Sequence, residues 1–196
     1  MDKVFVIGRD EVPQVTHLGG GESLRWTLVV LPGVSADLKL EIDLDGPGCD
    51  VDLAGLYLCP ADEKVTLDVL VRHNSGGCVS RQLFKGIVGG TAHTSFDGLI
   101  YVARDAQKTK AYQENHNILL SDTAVAGSRP QLEIYADDVE CSHGATAGFL
   151  NADELFYMRS RGIPEAEARR LQMISFLAPV LSRLPEDLQD DIVSQC

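Results

Sequence analysis

Three things are scarce in this chain: paired cysteines, basic residues and long apolar runs. The five cysteines, Cys49, Cys59, Cys78, Cys141 and Cys196, are odd in number and widely spaced, with no CxxC among them. That pattern excludes a zinc knuckle of the usual spacing and argues against a disulfide framework. Free thiols fit a reducing compartment, so a cytoplasmic protein is expected. Seventeen Lys and Arg face 29 Asp and Glu, a formal net charge of −12. A surface of that sign repels phosphate backbones, and nucleic acid is not an expected partner. The longest apolar runs, such as WTLVVL at 26–31, fall far short of the ~20 residues that span a bilayer, so no membrane helix is expected.

Catalytic signatures are missing as well. There is no GxSxG elbow, no HExxH and no dinucleotide fingerprint. Gly19-Gly20-Gly21 is followed by Glu22, which would repel a phosphate, and no Lys-Ser/Thr completes a P-loop. Nor does the N-terminus MDKVFVIGRD carry the long apolar segment or cleavage site of a secretory signal. It enters a strand pattern at Val4 almost at once, which fits either a compact start or a piece of a longer protein.

What is present is alternation. LKLEIDLD, residues 38–45, sets Leu38, Leu40, Ile42 and Leu44 on one face and Lys39, Glu41, Asp43 and Asp45 on the other. VTLDVLVRH, residues 65–73, repeats the pattern with Val65, Leu67, Val69 and Val71. Successive strand side chains point to opposite sides, so each segment reads as a half-buried strand. GGG at 19–21, LPG at 31–33, DGPG at 45–48, NSGG at 74–77 and GG at 89–90 supply the turns. Strands recurring every 10–15 residues suit a sandwich, a barrel or a solenoid with coils of about 24–28 residues. Periodicity leaves these open.

After Gly148 the pattern turns helical. NADELFYMRSRG, 151–162, opens on Asn151 with Glu154 three residues later, resembling a capping box, and closes on Gly162. A second helix follows Pro164, with acids in its first turn and an apolar stripe of Ala168, Leu171, Ile174, Phe176 and Leu177, to be bent or ended by Pro179. A short third helix is expected at about 185–194.

Within the strand region one pair could carry chemistry. Cys141 and His143 are two apart, so an extended chain places them on one face, where thiolate and imidazole could both reach an iron or zinc ion. Two ligands do not complete a site, and Val139 shares their parity. A buried thiol beside a core histidine is therefore an equally physical reading. His17, His73, His93 and His116 show no ligand spacing with one another, and Cys49 and Cys59 read as small apolar fillers.

The block RPQLEIYADDVECSHGATAGFLNADELFYMRSRGI, 129–163, together with NHNILLSDTAVAGSRP before it at 115–130, resembles the SufB/SufD family of iron–sulfur cluster assembly proteins, and its SufD branch more than its SufB branch. The likeness covers about 50 residues closely. Upstream of Tyr112 it is one of strand character, and family members have a longer N-terminal portion than this chain. The resemblance implies a mainly β fold, a right-handed parallel β-helix over 1–148 followed by a C-terminal α-helical domain over 149–196. It implies a non-catalytic scaffold subunit that pairs with a SufB-like paralogue and docks a SufC-like ABC ATPase through its C-terminal helices. A homodimer is an alternative when the paralogue is absent, since an uncovered β edge seeks a partner.

By position in the motif, the resemblance makes His143 and Cys141 candidate ligands for iron or a cluster at the subunit interface. Any such iron would be transient and shared with the partner, with no permanently bound cofactor. It likewise makes Leu132, Ile134 and Tyr135 candidates for β-helix pairing, and Phe156, Met158 and Ile163 candidates for ATPase docking. A purely structural partner-binding solenoid and a β-helix enzyme acting on polymers remain as alternatives; no carboxylate groove at repeat spacing points to the latter.

Overall fold

A computed structural model describes residues 2–196. Among these residues, eleven strands alternate between two parallel sheets. Odd-numbered strands β1 (Asp2–Val6), β3 (Ser23–Val30), β5 (Asp50–Cys59), β7 (Val79–Val88), β9 (Lys110–Leu119) and β11 (Glu140–Phe149) stack in that order. Even-numbered strands β2 (Val15–Leu18), β4 (Ala36–Leu44), β6 (Lys64–His73), β8 (His93–Val102) and β10 (Val125–Ile134) form the facing sheet. Every pairing is parallel, and each strand pairs with the one two places along the chain. The molecule is therefore the expected solenoid, a parallel β-helix of about five turns. Ser23 stacks on Asp50, Asp50 on Val79, Val79 on Lys110 and Lys110 on Glu140, so a coil takes about 27–31 residues. That exceeds the 24–28 expected, because strands of mostly ten residues are joined by turns of several residues.

The alternation explains the core. Leu40, Ile42, Leu44, Val65, Leu67, Val69 and Val71 are buried between the sheets, as their parity requires, with Trp26 edge-on to Phe5 at 5.1 Å. The turns are clasped between coils by Glu63, which accepts from the Gly33 and Ala61 N–H groups at 2.9 Å each. Burial works to raise its pKa, but these backbone donors hold it below the usual carboxylate range.

Helix α1 (Ala152–Ser160) starts at Asn151, whose side chain accepts from the N–H groups of Asp153 and Glu154. Glu154 returns to the Asn151 side-chain amide rather than to its backbone N–H, a variation on the box. At the other end Gly162 has φ +88°, and Gly162 N–H and Ile163 N–H donate to the carbonyls of Arg159 and Met158. This is a Schellman cap, in the place the sequence assigns it.

Helix α2 (Glu165–Leu181) runs two residues beyond Pro179, since Val180 and Leu181 are buried and tertiary packing outweighs the missing donor. Its buried face is Ala168, Gln172, Met173, Leu177, Val180 and Leu181, rotated from the expected stripe, and Leu171 is exposed. Helix α3 is Glu186–Gln195. The helices cover the outer face of the odd-numbered sheet at Val29, Ala54, Leu56, Leu58 and Ile87. Arg183, nearly buried, locks them on by donating to the Asp52 carboxylate at 2.8 Å and to its carbonyl at 3.0 Å.

Candidate functional site

Parallel register turns each inward position into a column along the solenoid. One column reads Leu24, Val51, Ser80, Ala111, Cys141; its neighbour reads Trp26, Leu53, Gln82, Gln113, His143. Paired residues of a parallel ladder share a face, so Cys141 and His143 occupy interior positions of the last coil. That coil ends both sheets, and among the described residues no strand pairs with the outer edges of β10 and β11. Interior positions are consequently open here: Cys141 is half-buried and His143 exposed.

The two candidates differ in setting. Cys141 packs against the small cluster of Ile100, Val102, Ala106, Ala111 and Ala136. Burial pushes its thiol pKa up, the Ala111 backbone hydrogen bond opposes this, and the Glu140 charge adds to the rise. Such a thiol is held mainly protonated at neutral pH and becomes a ligand only when a cation displaces its proton. His143 makes no side-chain hydrogen bond or ion pair among the described residues and is exposed at the open coil. Among the described residues, no three His, Cys, Asp or Glu side chains gather as a metal site.

Strand β11 is secured from its outward side. Tyr112 donates to Glu140 at 2.5 Å, Lys110 Nζ lies 3.2 Å from the same carboxylate, and His116 Nδ1 lies 2.8 Å from the Thr146 hydroxyl. The Tyr112 hydrogen bond, then Lys110, lowers the Glu140 pKa. These contacts hold the last strand in register and leave its inward row free.

The pairing candidates lie along and just beyond β10. Leu132 is half-buried on the same small cluster as Cys141. Ile134 and Tyr135 are exposed, and Tyr135 stacks on Tyr101 with ring centroids 5.5 Å apart. The docking candidates divide. Phe156 is 72% exposed. Met158 is half-buried on the wall of an apolar cleft of about 770 Å³ between α1, α2 and the end of β11, shared with Phe149, Tyr157, Leu171 and Phe176. Ile163 is half-buried at the Schellman cap.

Sequence reasoning missed the polar residues behind the site. Tyr57, Asn115 and Asn117 form a buried hydrogen-bonded cluster, with Tyr57 O–H donating to Asn117 Oδ1 at 2.5 Å and Asn115 Nδ2 donating to Tyr57 at 3.0 Å. Gln113 Nε2 donates to Gln82 Oε1 at 3.0 Å. Their signal was in the sequence: KAYQENHNIL, residues 110–119, carries Gln113, Asn115 and Asn117 at the parity that elsewhere holds Leu and Val.

The structure is a parallel β-helix whose last coil, like its first, has unpaired strand edges among the described residues, with helices packed on one sheet. The chain matches the family model described as SUF system FeS cluster assembly, SufBD core domain, over residues 14–176. It is 40% identical over 152 residues to the iron-sulfur cluster assembly protein SufD of Escherichia coli, covering 78% of this chain and 35% of that protein. It is 40% identical over 144 residues to a SufBD family protein of Synechocystis, covering 74% and 30%. The SufD of Bacillus subtilis is 29% identical over 177 residues, covering 90% and 40%. The chain belongs to the SufB/SufD family and is SufD-like. It spans between a third and a half of the length of most of these relatives. No helix among the described residues is long and apolar enough to cross a membrane.

Proposed function

We propose that this chain is the β-helix and C-terminal helical portion of a non-catalytic scaffold subunit for iron–sulfur cluster assembly in the cytoplasm. In this reading the open coil pairs with a SufB-like paralogue along the edges of β10 and β11, with Leu132, Ile134 and Tyr135 at the seam. His143, and Cys141 beside it, offer an imidazole and a thiol to iron or a nascent cluster arriving as cargo, and the partner completes the ligand set. The α-helices, through Phe156, Met158 and Ile163, dock an ABC-type ATPase. The observation that carries the reading is the opening of the interior at the last coil, which brings His143 to a surface bordered by unpaired strand edges. Such edges recruit another chain. The test is co-expression with SufB- and SufC-like partners: His143→Ala is expected to lower cluster content, and an undiminished yield would remove His143 from the role.

A second reading, a partner-binding solenoid with no metal role, is favoured by the packing of Cys141 on an apolar cluster. It expects Cys141→Ala to lower stability by about 1 kcal/mol with iron incorporation intact.

A further inference from the structure

We propose that Gln113 is a positioning residue that fixes the proton of the His143 ring, so that one nitrogen presents its lone pair at the open end of the solenoid. The proposal rests on the reading of His143 as a donor to iron.

Gln113 is fully buried, and its Oε1 has no hydrogen-bond partner although its Nε2 is satisfied by Gln82. Buried amide oxygens are seldom left bare. The direction of this one follows from amide geometry. An amide oxygen and the N–H anti to it point in opposite directions, so Nε2 bonded back to Gln82 leaves Oε1 on the side of the next coil, where no hydrogen bond joins it to His143 in this structure. The residue in register there is His143, one strand spacing of about 4.8 Å away. Gly98 on the opposite sheet makes the room: a Cβ at that position would lie 2.4 Å from Gln113 Oε1.

An imidazole N–H donated to Gln113 Oε1 satisfies the buried carbonyl and selects one tautomer. The second nitrogen is then unprotonated and free to bind a cation, the arrangement by which an outer partner raises the basicity of a histidine ligand. Gln82 in turn holds the Gln113 amide from behind.

Nitrogen-15 spectra of the isotopically labelled 196-residue chain test this, recorded well above the usual imidazole pKa range. In the unaltered chain the two His143 ring nitrogens are expected to show well-separated protonated and unprotonated shifts. In Gln113→Leu they should move toward one another as the tautomers exchange, and in the co-expressed complex cluster yield should fall about 10-fold. Should Gln113→Leu fail to fold because the Gln82 amide is stranded, Gln82→Leu/Gln113→Leu removes both partners and is read the same way. Identical His143 shifts with and without Gln113 would overturn the positioning role. Undiminished yield in His143→Ala would instead overturn the iron reading, and the ring-nitrogen comparison would still decide what Gln113 does.

Discussion

The first coils of the solenoid and the last ones share a backbone plan but not an interior. Inside the early coils stand Leu24, Trp26, Leu40, Ile42, Val51 and Leu53; inside the later ones stand Gln82, Gln113, Asn115 and Asn117, ending in Cys141 and His143. The column of His143 passes from Trp26 and Leu53 through the amides Gln82 and Gln113 to the imidazole, while that of Cys141 runs through Ser80 and Ala111. Burial of apolar surface at roughly 25 cal/mol per Å² makes the apolar columns the source of stability, Phe84, Phe96, Ile100 and Val102 of the later coils included. The later coils bury amides whose net contribution is small even when hydrogen-bonded. A β-helix gains nothing in stability from that exchange. What the polar interior supplies is a row of oriented donors and acceptors leading to the end where the coil is open.

The sharpest way to break the contrast is to transplant polarity into the apolar half. Ile42 is fully buried in a column that runs Thr16, Ile42, Val71, Ile100, and Ile42→Asn places an amide against that aliphatic stack. A loss of about 4 kcal/mol is expected, combining lost burial with an unsatisfied polar group. Urea unfolding at neutral pH would register it as a lower midpoint.

Protonation probes the boundary between the halves. His73 closes strand β6 in full burial, 2.8 Å from the Ser80 hydroxyl, and desolvation lowers its pKa to about 4. The native state keeps the ring neutral while the unfolded chain takes up a proton near pH 6.5. The stabilising difference is thus present above that pH and lost as pH falls toward 4, by up to about 3 kcal/mol. His73→Leu should flatten this part of the stability profile, and an unchanged slope between pH 7 and 4.5 would exclude His73 as its source.

Within the polar half, Gly86 lies against Tyr57 and Asn117, and a Cβ there would come 2.0 Å from the Tyr57 ring. Gly86→Ala is expected to cost about 2 kcal/mol by overpacking. Calorimetry should show the lower melting temperature.

How much of this was legible follows from what each feature depends on. The strands could be read because alternation is local: Leu38 to Leu44 declare their face within seven residues. The cap at Gly162 was equally local. The buried face of α2 was read with an offset, because Met173 and Leu181 are chosen by the sheet they meet at Leu56 and Ile87, while the cleft leaves Leu171 exposed. The family motif marked Cys141 and His143, yet their exposure depends on the solenoid ending there. Gln82 and Gln113 lie 31 residues apart, and only the register of β7 on β9 makes them a pair.

That pair yields the smallest expected effect and the one that separates the halves most cleanly. If the later coils exchange stability for orientation, replacing both amides together should leave stability nearly untouched. Gln82→Leu/Gln113→Leu removes one hydrogen bond and two orphaned atoms at once, Gln82 Nε2 and Gln113 Oε1. Substituting both partners by apolar groups of similar shape is close to neutral, within about 1 kcal/mol. An unfolding midpoint within that margin of the parent chain, beside the large loss from Ile42→Asn, would show that the amides are retained for something other than stability. A loss above about 2 kcal/mol would make them ordinary core and erase the distinction between the two halves.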